Sequence, residues 1–347
     1  MSSAEAVPAD PPPAYDALLP YEAVVIVSFG GPEGPADVIP FLENVLRGRP
    51  VPRARLEQVA GHYHQFGGVS PINAQNRALV AALRAELDAQ GPHLPVYWGN
   101  RNWAPYLTDT LSQMTADGVR RALALVTSAY SSYSGCRQYL DEIDAARAAL
   151  GGRAPVVDKI RAYFDDPGFV QANAERLEVA LAEAGPGAEV LFSAHSIPEA
   201  MAERCPYRAQ LEATAGLVAA RAGWGGSPRV VYQSRSGPPG QPWLGPDVAD
   251  AVRALPAGTP AVVVAPIGFV SDHMEVVYDL DVELAAVASE VGIRLVRAGT
   301  AGTHPAFIAG IRALIQQRCD PSFPRAGLSS LEPAPDVCPA EHCPRGA

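Results

Sequence analysis

The chain has 347 residues, of which 48% are hydrophobic and 18% charged, a composition typical of globular proteins with one large or two medium domains. Its net charge of −10 argues against nucleic acid as a partner, and no stretch approaches the roughly 20 apolar residues of a membrane-spanning helix. Five cysteines, an odd and sparse number, favour a reducing cytoplasm over a disulfide framework. Residues 1–20 lack the basic and apolar regions of a signal peptide, and we expect a disordered tail there.

Short apolar runs alternate with helical patterns along the chain, which indicates a parallel α/β architecture. Most runs are nearly continuous Val, Leu, Ile and Ala, as expected of strands that are covered on both faces. The predicted strands form two sets of four. They are residues 23–29, 95–99, 121–127 and 156–160 in the first set, and 189–194, 229–234, 261–266 and 293–297 in the second.

The two sets resemble each other in the segments that come after their strands. In both, the first strand ends in a serine and a distinctive loop, the second in an arginine-containing loop, and the third leads into a helix. We therefore predict two similar Rossmann-like domains with four-stranded parallel sheets, residues 21–160 and 161–303. The helix 304–319 is expected to join the first domain, and residues 320–347 to form a cysteine-containing tail.

The loops after the strands are the expected place for a ligand. In such sheets, ligands bind beyond the carboxyl ends of the strands, so these loops should line one cleft between the domains. The chain has neither a GxGxxG sequence at its first helix nor a GxxxxGK[ST] loop, and a nucleotide cofactor is therefore poorly supported.

His195 directly follows the first strand of the second set. An imidazole at the carboxyl end of a strand can accept a proton near neutral pH or bind a metal ion. A lone histidine is more often a structural side chain that is held by hydrogen bonds. Both interpretations stay open from His195 alone.

The stretch after the seventh strand reads as the start of a helix that carries three carboxylates. Glu275, Asp279 and Glu283 are spaced i, i+4 and i+8, which places them on one helix face. Such like-charged neighbours destabilise a helix by roughly 0.2–0.5 kcal/mol per pair. The row is either a solvated acidic face or a place for a cation. With His195 in the same half, Glu275 would complete a minimal site for a divalent cation or for proton removal.

Two predicted helix starts and one tyrosine are expected to lie at the same cleft. The glycine turn 67–68 leads into a helix at Ser70, whose hydroxyl and free N–H groups suit an anionic group or simply cap the helix. The helix with the carboxylates should be capped by Ser271 or Asp272. Tyr139 follows the third strand of the first set, and its local sequence fits ordinary packing as well as ligand binding.

Five motifs occur in order: VSFGGP at residues 27–32, FGGVSPI at 66–72, SAHSIP at 193–198, QSRSG at 233–237 and SDHME at 271–275. With this set, the sequence from about residue 20 to about residue 320 resembles the ferrochelatase family, most closely its actinobacterial branch, which acts on coproporphyrin III. The resemblance implies the class II chelatase fold. It also implies the insertion of Fe²⁺ into a porphyrin, in particular coproporphyrin III, during haem biosynthesis in the cytoplasm.

In that family, the histidine of SAHSIP and the glutamate of SDHxE face the centre of the macrocycle. The resemblance therefore implies that His195 and Glu275 are catalytic and bind the metal. It also implies that Asp279 and Glu283 mark a path along which iron enters. The side from which iron is delivered stays open.

Three residues of the first half are implied to contact the porphyrin. Ser70 of the GGxSP motif and Tyr139 match residues that contact porphyrin propionates in coproporphyrin enzymes. Phe29 stands where some relatives carry a tyrosine. On this side, the macrocycle would therefore lack an axial oxygen ligand for iron.

Some relatives bind a [2Fe–2S] cluster through one internal cysteine and three near the C-terminus. Cys136 matches the internal ligand, and Cys338 and Cys343 match two of the terminal ones. The fourth ligand stays open between His342 and Cys319, since histidine ligates iron in Rieske-type clusters. By itself the C-x4-C spacing is a weak signal, and thiols without a role are an equal alternative.

Three alternatives to a coproporphyrin enzyme differ in substrate or class: a protoporphyrin IX ferrochelatase, a chelatase that inserts Co²⁺ or Ni²⁺ into another tetrapyrrole, and a non-catalytic haem carrier. The SDHxE motif argues against the second, since such relatives usually rely on paired histidines. Intact His195 and Glu275 argue against the third. The lack of membrane features favours the water-soluble coproporphyrin. We expect a monomer whose contacts with neighbouring haem-pathway enzymes are transient.

Overall fold

The computed structural model describes residues 19–48, 51–237, 240–339 and 341–344. The tail predicted at residues 1–20 lies outside these ranges except for its last two residues. None of the helices in the described ranges combines the length and the hydropathy that a transmembrane span requires.

All eight predicted strands are present, and their ends differ from the predicted ones by at most one residue. They form two parallel sheets with the orders β2-β1-β3-β4 and β6-β5-β7-β8, so the two sheets share one topology and the predicted fold class is confirmed. The strands are β1 (Ala23–Ser28), β2 (Val96–Asn100), β3 (Arg121–Val126), β4 (Val156–Lys159), β5 (Glu189–His195), β6 (Val230–Gln233), β7 (Ala261–Ala265) and β8 (Arg294–Arg297).

The central strands are covered on both faces, which explains their continuous apolar sequence. Every residue of β1 and of β7 is buried. Alternate residues of β1 enter different core clusters: Val24 and Ile26 belong to one, and Val25 and Val27 to another. Since successive side chains of a strand point to opposite faces, each face of the first sheet has its own apolar layer.

Helices connect the strands and supply these layers. They are α1 (Val38–Val45), α2 (Arg53–His64), α3 (Ile72–Gln90), α4 (Leu107–Ala116), α5 (Gln138–Leu150), α6 (Pro167–Ala184), α7 (Glu199–Ala202), α8 (Tyr207–Arg221), α9 (Val248–Arg253), α10 (Met274–Tyr278), α11 (Ala285–Glu290) and α12 (Pro305–Cys319). Two π-helical turns, Tyr133–Arg137 and Asp279–Leu284, contain the predicted site residues Cys136 and Asp279. Such turns are rare and frequently occur at functional sites.

Helix α12 packs against both halves of the chain. Against α3, the Arg312 Nε donates to Glu86 at 2.8 Å. Against α6 the two backbones approach closely, because a Cβ atom on Gly168 would lie only 2.2 Å from the carbonyl oxygen of Ala306. Glycine is therefore required at this crossing.

The apolar core is continuous between the two sheets. Ile26 of β1 and Phe192 of β5 belong to the same cluster of buried residues. The boundary between domains at residues 160 and 161, with helix 304–319 added to the first domain, stays a prediction.

Candidate active site

His195 is the last residue of β5, at the carboxyl edge of the second sheet. Its Nδ1–H donates to the carbonyl oxygen of Ser196 at 2.5 Å, and the Tyr207 hydroxyl donates to the backbone carbonyl of His195 at 3.0 Å. The Nε2 atom lies 3.5 Å from Oε2 of Glu275. These contacts fix the ring with Nε2 directed at a carboxylate, where it can exchange a proton or contact a metal ion.

His195 and Glu275 form an ion pair that keeps both side chains charged. Burial opposes the charged imidazole, but the Glu275 carboxylate outweighs this effect and raises the pKa of His195 to about 9. Burial also disfavours the carboxylate, yet the imidazolium lowers the pKa of Glu275 to about 2. The side chains of His195 and Glu275 remain 30% and 51% exposed, so a substrate can reach the pair.

Glu275 lies in the first turn of α10, next to its cap. The cap is His273, whose Nδ1 accepts the Glu275 N–H at 3.2 Å, and the predicted cap at Ser271 or Asp272 is therefore wrong. Burial lowers the pKa of His273, which favours the neutral ring that such an acceptor needs. Asp272 does not cap the helix because its carboxylate binds Arg297.

Arg297, at the end of β8, holds the loop before α10. Its two terminal nitrogens contact both carboxylate oxygens of Asp272 at 3.2 and 3.3 Å, and its Nε donates to Asp281 at 2.6 Å. The side-chain oxygen of Gln75 in α3 accepts the Asp272 N–H at 2.8 Å, which connects the loop to the first half of the chain. Sequence reasoning missed these contacts, since they join segments that are far apart along the chain.

The carboxylates do not follow the single regular helix that was predicted. After α10, Asp279–Leu284 form a π-helical turn, so the i, i+4, i+8 spacing no longer describes one face. The Ser234 hydroxyl donates to the Asp279 carboxylate. Burial outweighs this bond and, with the charges of Glu275 and Glu283, raises the pKa of Asp279 to about 7. Glu283 itself is exposed.

The first half contributes two aromatic rings and an arginine. The Arg101 guanidinium lies 5.0 Å from the ring centre of Tyr139 and 5.7 Å from that of Phe29. Its side chain is 8% exposed, and its Nε has no hydrogen-bond partner among the described residues. Burial raises the pKa of Tyr139, and the charge of Glu275 adds to this shift, which places Tyr139 within electrostatic reach of the His195 pair. Only the arginine-containing loop after β2 signalled Arg101 in the sequence.

Ser70 is buried where two of the motifs meet. Its N–H donates to the Pro32 carbonyl at 2.9 Å, and a Cβ atom on Gly31 would lie 2.7 Å from the Ser70 Cβ. The preceding helix, α2, reaches the second half, because the ring of His62 stacks on that of Tyr278 in α10 with 3.8 Å between ring centres. The two halves therefore touch at the helix that carries Glu275.

The three cysteines predicted as cluster ligands lie near one another. Cys136 and Cys343 are buried, and Cys338 is half-buried. The thiols of Cys136 and Cys338 both act electrostatically on that of Cys343, and Cys136 acts on Cys338. Within the described ranges, no three His, Cys, Asp or Glu side chains surround one point as the ligands of a single metal ion would.

Known proteins resemble this chain along most of its length. The ferrochelatase family model matches residues 21–319. A ferrochelatase of Rhodopirellula baltica is 52% identical over 334 residues, which cover 94% of both proteins. A coproporphyrin III ferrochelatase of Frankia alni is 53% identical and covers 93% of this chain and 86% of the relative. One of Streptomyces griseus is 51% identical over 94% of both.

Solved structures share the fold at low sequence identity. A sirohydrochlorin chelatase from Bacillus subtilis in complex with cobalt has a TM-score of 0.51 and 11% identity, over 87% of this chain and 97% of that one. CbiX, the terminal enzyme of sirohaem biosynthesis in denitrifying bacteria, has a TM-score of 0.50 and 17% identity, over 85% and 98%. At these identities the likeness concerns the fold alone, and it agrees with the predicted chelatase fold.

Proposed function

Because the chain belongs to the ferrochelatase family and therefore inserts Fe²⁺ into a porphyrin, we propose that this porphyrin is coproporphyrin III. Relatives that share about half of its residues, from Frankia alni and Streptomyces griseus, are coproporphyrin III ferrochelatases. The observation that carries the site assignment is the His195–Glu275 pair, with 3.5 Å between Nε2 and Oε2.

Iron insertion must remove two N–H protons from the porphyrin as Fe²⁺ enters, and we assign this task to His195 and Glu275. In the free enzyme the pair is charged. As Fe²⁺ approaches Glu275, the cation replaces the imidazolium as the partner of the carboxylate, and His195 releases its proton to solvent, to which its side chain is 30% exposed. The neutral Nε2 then accepts the first pyrrole proton and releases it to solvent, and it next accepts the second, so that the imidazolium paired with Glu275 is restored as iron enters the ring. Two protons leave for one dication that enters, so the charge at the porphyrin centre is unchanged.

Asp279 and Glu283 are proposed to lead from this pair to solvent. Carboxylate oxygens are hard ligands that hold a divalent cation without excluding its release. The exposed Glu283 would meet iron first. Because its pKa is raised to about 7, Asp279 can change its protonation state near neutral pH, so it can bind iron or carry a proton outward.

The porphyrin is proposed to lie against Phe29, Tyr139 and Arg101, with propionates near Ser70 and Tyr139. A guanidinium forms strong, charge-assisted hydrogen bonds with carboxylates, and the Arg101 Nε is free among the described residues. Coproporphyrin carries four carboxylates, whereas protoporphyrin IX carries two and would make fewer such bonds.

Initial rates of anaerobic Fe²⁺ insertion into the two porphyrins test this substrate. We expect kcat/KM to be at least about tenfold higher for coproporphyrin III, because one charge-assisted hydrogen bond contributes about 1.5–3 kcal/mol. Arg101→Ala should reduce this ratio. Arg120→Ala is the control, since Arg120 is exposed and pairs with Glu22. A higher kcat/KM for protoporphyrin IX would contradict the proposal.

A [2Fe–2S] cluster is proposed as well, with Cys136, Cys338, Cys343 and a fourth residue as ligands. Besides the proximity of the three thiols, Cys343 has a φ of 51°. This left-handed conformation costs energy in a residue other than glycine, and it persists where the surroundings fix it. A bound cluster would fasten the C-terminal tail to the rest of the protein. The visible absorbance and acid-labile sulfide of anaerobically purified protein test for it.

For the whole protein we propose two domains, residues 21–160 with helix 304–319, and residues 161–303. Each range holds one sheet, and the two sheets have the same order. A cytoplasmic monomer is proposed, with transient contacts to other haem-pathway enzymes. All five cysteines are free, as a reducing compartment would keep them. Light scattering on a size-exclusion column tests the monomer.

A further inference from the structure

Cys205, which no motif singled out, lies beside one of the predicted cluster ligands. It follows α7, and its thiol forms a hydrogen bond with that of Cys343. Its Sγ also donates to the Met201 carbonyl at 3.3 Å. We infer that Cys205 is the fourth ligand of the [2Fe–2S] cluster, an inference that rests on the cluster proposed above.

Side-chain contacts hold α7 and α8, which flank Cys205, against the segment that carries Cys136. Just before the turn Tyr133–Arg137, the Ser131 N–H donates to Oε1 of Gln210 in α8 at 2.7 Å, and Gln210 Nε2 donates to Ser131 Oγ at 3.1 Å. Within the turn, Ser134 Oγ lies 3.8 Å from the sulfur of Met201 in α7. The two internal cysteines are therefore carried by segments that are bound to each other.

The C-terminal tail is also fixed before it reaches its cysteines. The backbone carbonyl of Asp165 accepts the Leu328 N–H at 3.1 Å, and its carboxylate accepts the Ser329 hydroxyl at 2.8 Å. Further on, Arg318 donates to the Asp336 carbonyl at 3.2 Å. These contacts hold the tail in a defined position before it reaches Cys338 and the buried Cys343.

The four thiols can serve a two-iron cluster as two pairs. Such a cluster takes two protein ligands on each iron, so its four ligands need not surround one point. Cys205 and Cys343, which share a hydrogen bond, can bind one iron. Cys136 and Cys338, which interact electrostatically, can bind the other. This pairing agrees with the lack, in the described ranges, of three ligands around a single point.

Nearby positive charge suits four thiolates. Arg137 and Lys159 both act on the thiol of Cys338, and they would offset part of the negative charge of the cluster. The two alternatives from the sequence, Cys319 and His342, are placed differently from these four thiols. Cys319 ends α12, and its thiol is affected by burial and by Arg318 but by none of the other described thiols. His342 is exposed while its neighbour Cys343 is buried.

The test compares variants of the full chain after anaerobic reconstitution with ferrous iron and sulfide. We expect the natural protein to bind about two sulfides per chain and to show the visible absorbance of a [2Fe–2S] cluster. Cys205→Ala should lower the sulfide content at least about tenfold, whereas Cys319→Ala and His342→Ala should retain it. Cys205→Ser should bind a cluster with shifted absorbance, because an oxygen ligand replaces sulfur.

Full sulfide content in Cys205→Ala, or its loss in His342→Ala, would overturn the assignment. Unchanged absorbance in Cys205→Ser would do the same, whatever the stability of the alanine variant. A natural protein that binds no cluster, and instead loses two titratable thiols to a disulfide between Cys205 and Cys343, would overturn the cluster itself. The preference between porphyrins is measured separately, so its failure would be distinguishable.

Discussion

Comparison of His195 with His304 shows that pairing with a carboxylate does not by itself identify a reactive histidine. His304 also pairs with a glutamate, Glu175, at 3.0 Å between Nε2 and Oε2. That pair lies at the first turn of α12, where the Nδ1 of His304 accepts the Ala306 N–H as a helix cap. The His195 pair instead lies at the carboxyl edge of a sheet, where ligands bind. Position in the fold therefore distinguishes the pair that we propose to be reactive from the pair that caps a helix.

Replacement of His195 by alanine should remove iron insertion and leave porphyrin binding intact. Loss of a proton acceptor lowers a rate by about 10²–10⁴-fold, and we expect kcat to fall by that factor. The Kd for porphyrin, measured by fluorescence quenching, should change less than about threefold. His304→Ala is the control, and it should cost about 1 kcal/mol of stability through the lost cap while kcat is retained. Turnover near that of the natural enzyme in His195→Ala would remove the proposed role.

Asp279 should make the use of iron depend on pH. Its pKa is raised to about 7, so the deprotonated fraction grows as pH rises through 7. The KM for Fe²⁺ should therefore fall about tenfold between about pH 6 and about pH 8. Asp279→Asn should have a high KM without this step, and Glu290→Gln, at the exposed end of α11, should behave like the natural enzyme. A step that persists in Asp279→Asn would assign the titration to another group.

At the scale of elements, the helix that carries Glu275 shows where sequence patterns stop being informative. Apolar periodicity correctly predicted that a helix follows β7. It could not predict the π-helical turn at Asp279–Leu284, because the sequence contains no distinctive pattern where a helical turn widens by one residue. Nor could it predict the cap. Ser and Asp are preferred to His as helix caps, but the carboxylate of Asp272 binds Arg297, and His273 caps the helix instead.

Arg297 is expected to position this element without touching the substrate. Arg297→Ala should lower the unfolding free energy by about 2 kcal/mol, because it removes charged hydrogen bonds to Asp272 and Asp281. It should also lower kcat/KM for Fe²⁺ about tenfold at temperatures well below Tm, since the loop before α10 loses its anchor. The matched control is Arg294→Ala in the same strand, whose ion pair with Glu183 is exposed. That change should cost less than about 0.5 kcal/mol.

If Arg297→Ala lowered stability but left kcat/KM unchanged, the residue would be structural only. Rescue by Arg297→Lys should be partial, because an ammonium group cannot bind both oxygens of Asp272 in the fork geometry of a guanidinium. Chemical denaturation and steady-state kinetics on the same preparations separate these outcomes.

For the whole molecule, the sheets, the family and the reaction were predictable from the sequence, and these predictions are confirmed. Nearly continuous apolar strands are easy to place because they are buried on both faces. Contacts between distant segments were not predictable. The sequence around Gln75 gives no sign of its hydrogen bond with Asp272, and the sequence around Cys205 gives no sign that Cys343 is its neighbour. The number of cysteines gave the only indication of a fourth ligand, because the three predicted ligands leave two of the five cysteines, Cys205 and Cys319.

The crossing of α6 and α12 should be sensitive to a single methyl group. Gly168→Ala would place a Cβ atom 2.2 Å from a backbone oxygen, which cannot move as a flexible side chain would. We expect a loss of about 1–3 kcal/mol in unfolding free energy. Gly216→Ala in α8 is the control, because no atom lies within 4 Å of its Cβ position, and it should gain about 0.5–1 kcal/mol. Equal stability of the two variants in urea would contradict the close crossing.

The proposed site takes its residues from both halves of the chain, and this has a consequence for how its selectivity can change. The residues proposed to contact the macrocycle, Phe29, Ser70 and Tyr139, belong to the first half, and His195 and Glu275 belong to the second. The specificity for the porphyrin and the specificity for the metal can then change independently of each other. A hybrid that exchanges only one sheet and its loops with a relative should acquire one preference and keep the other.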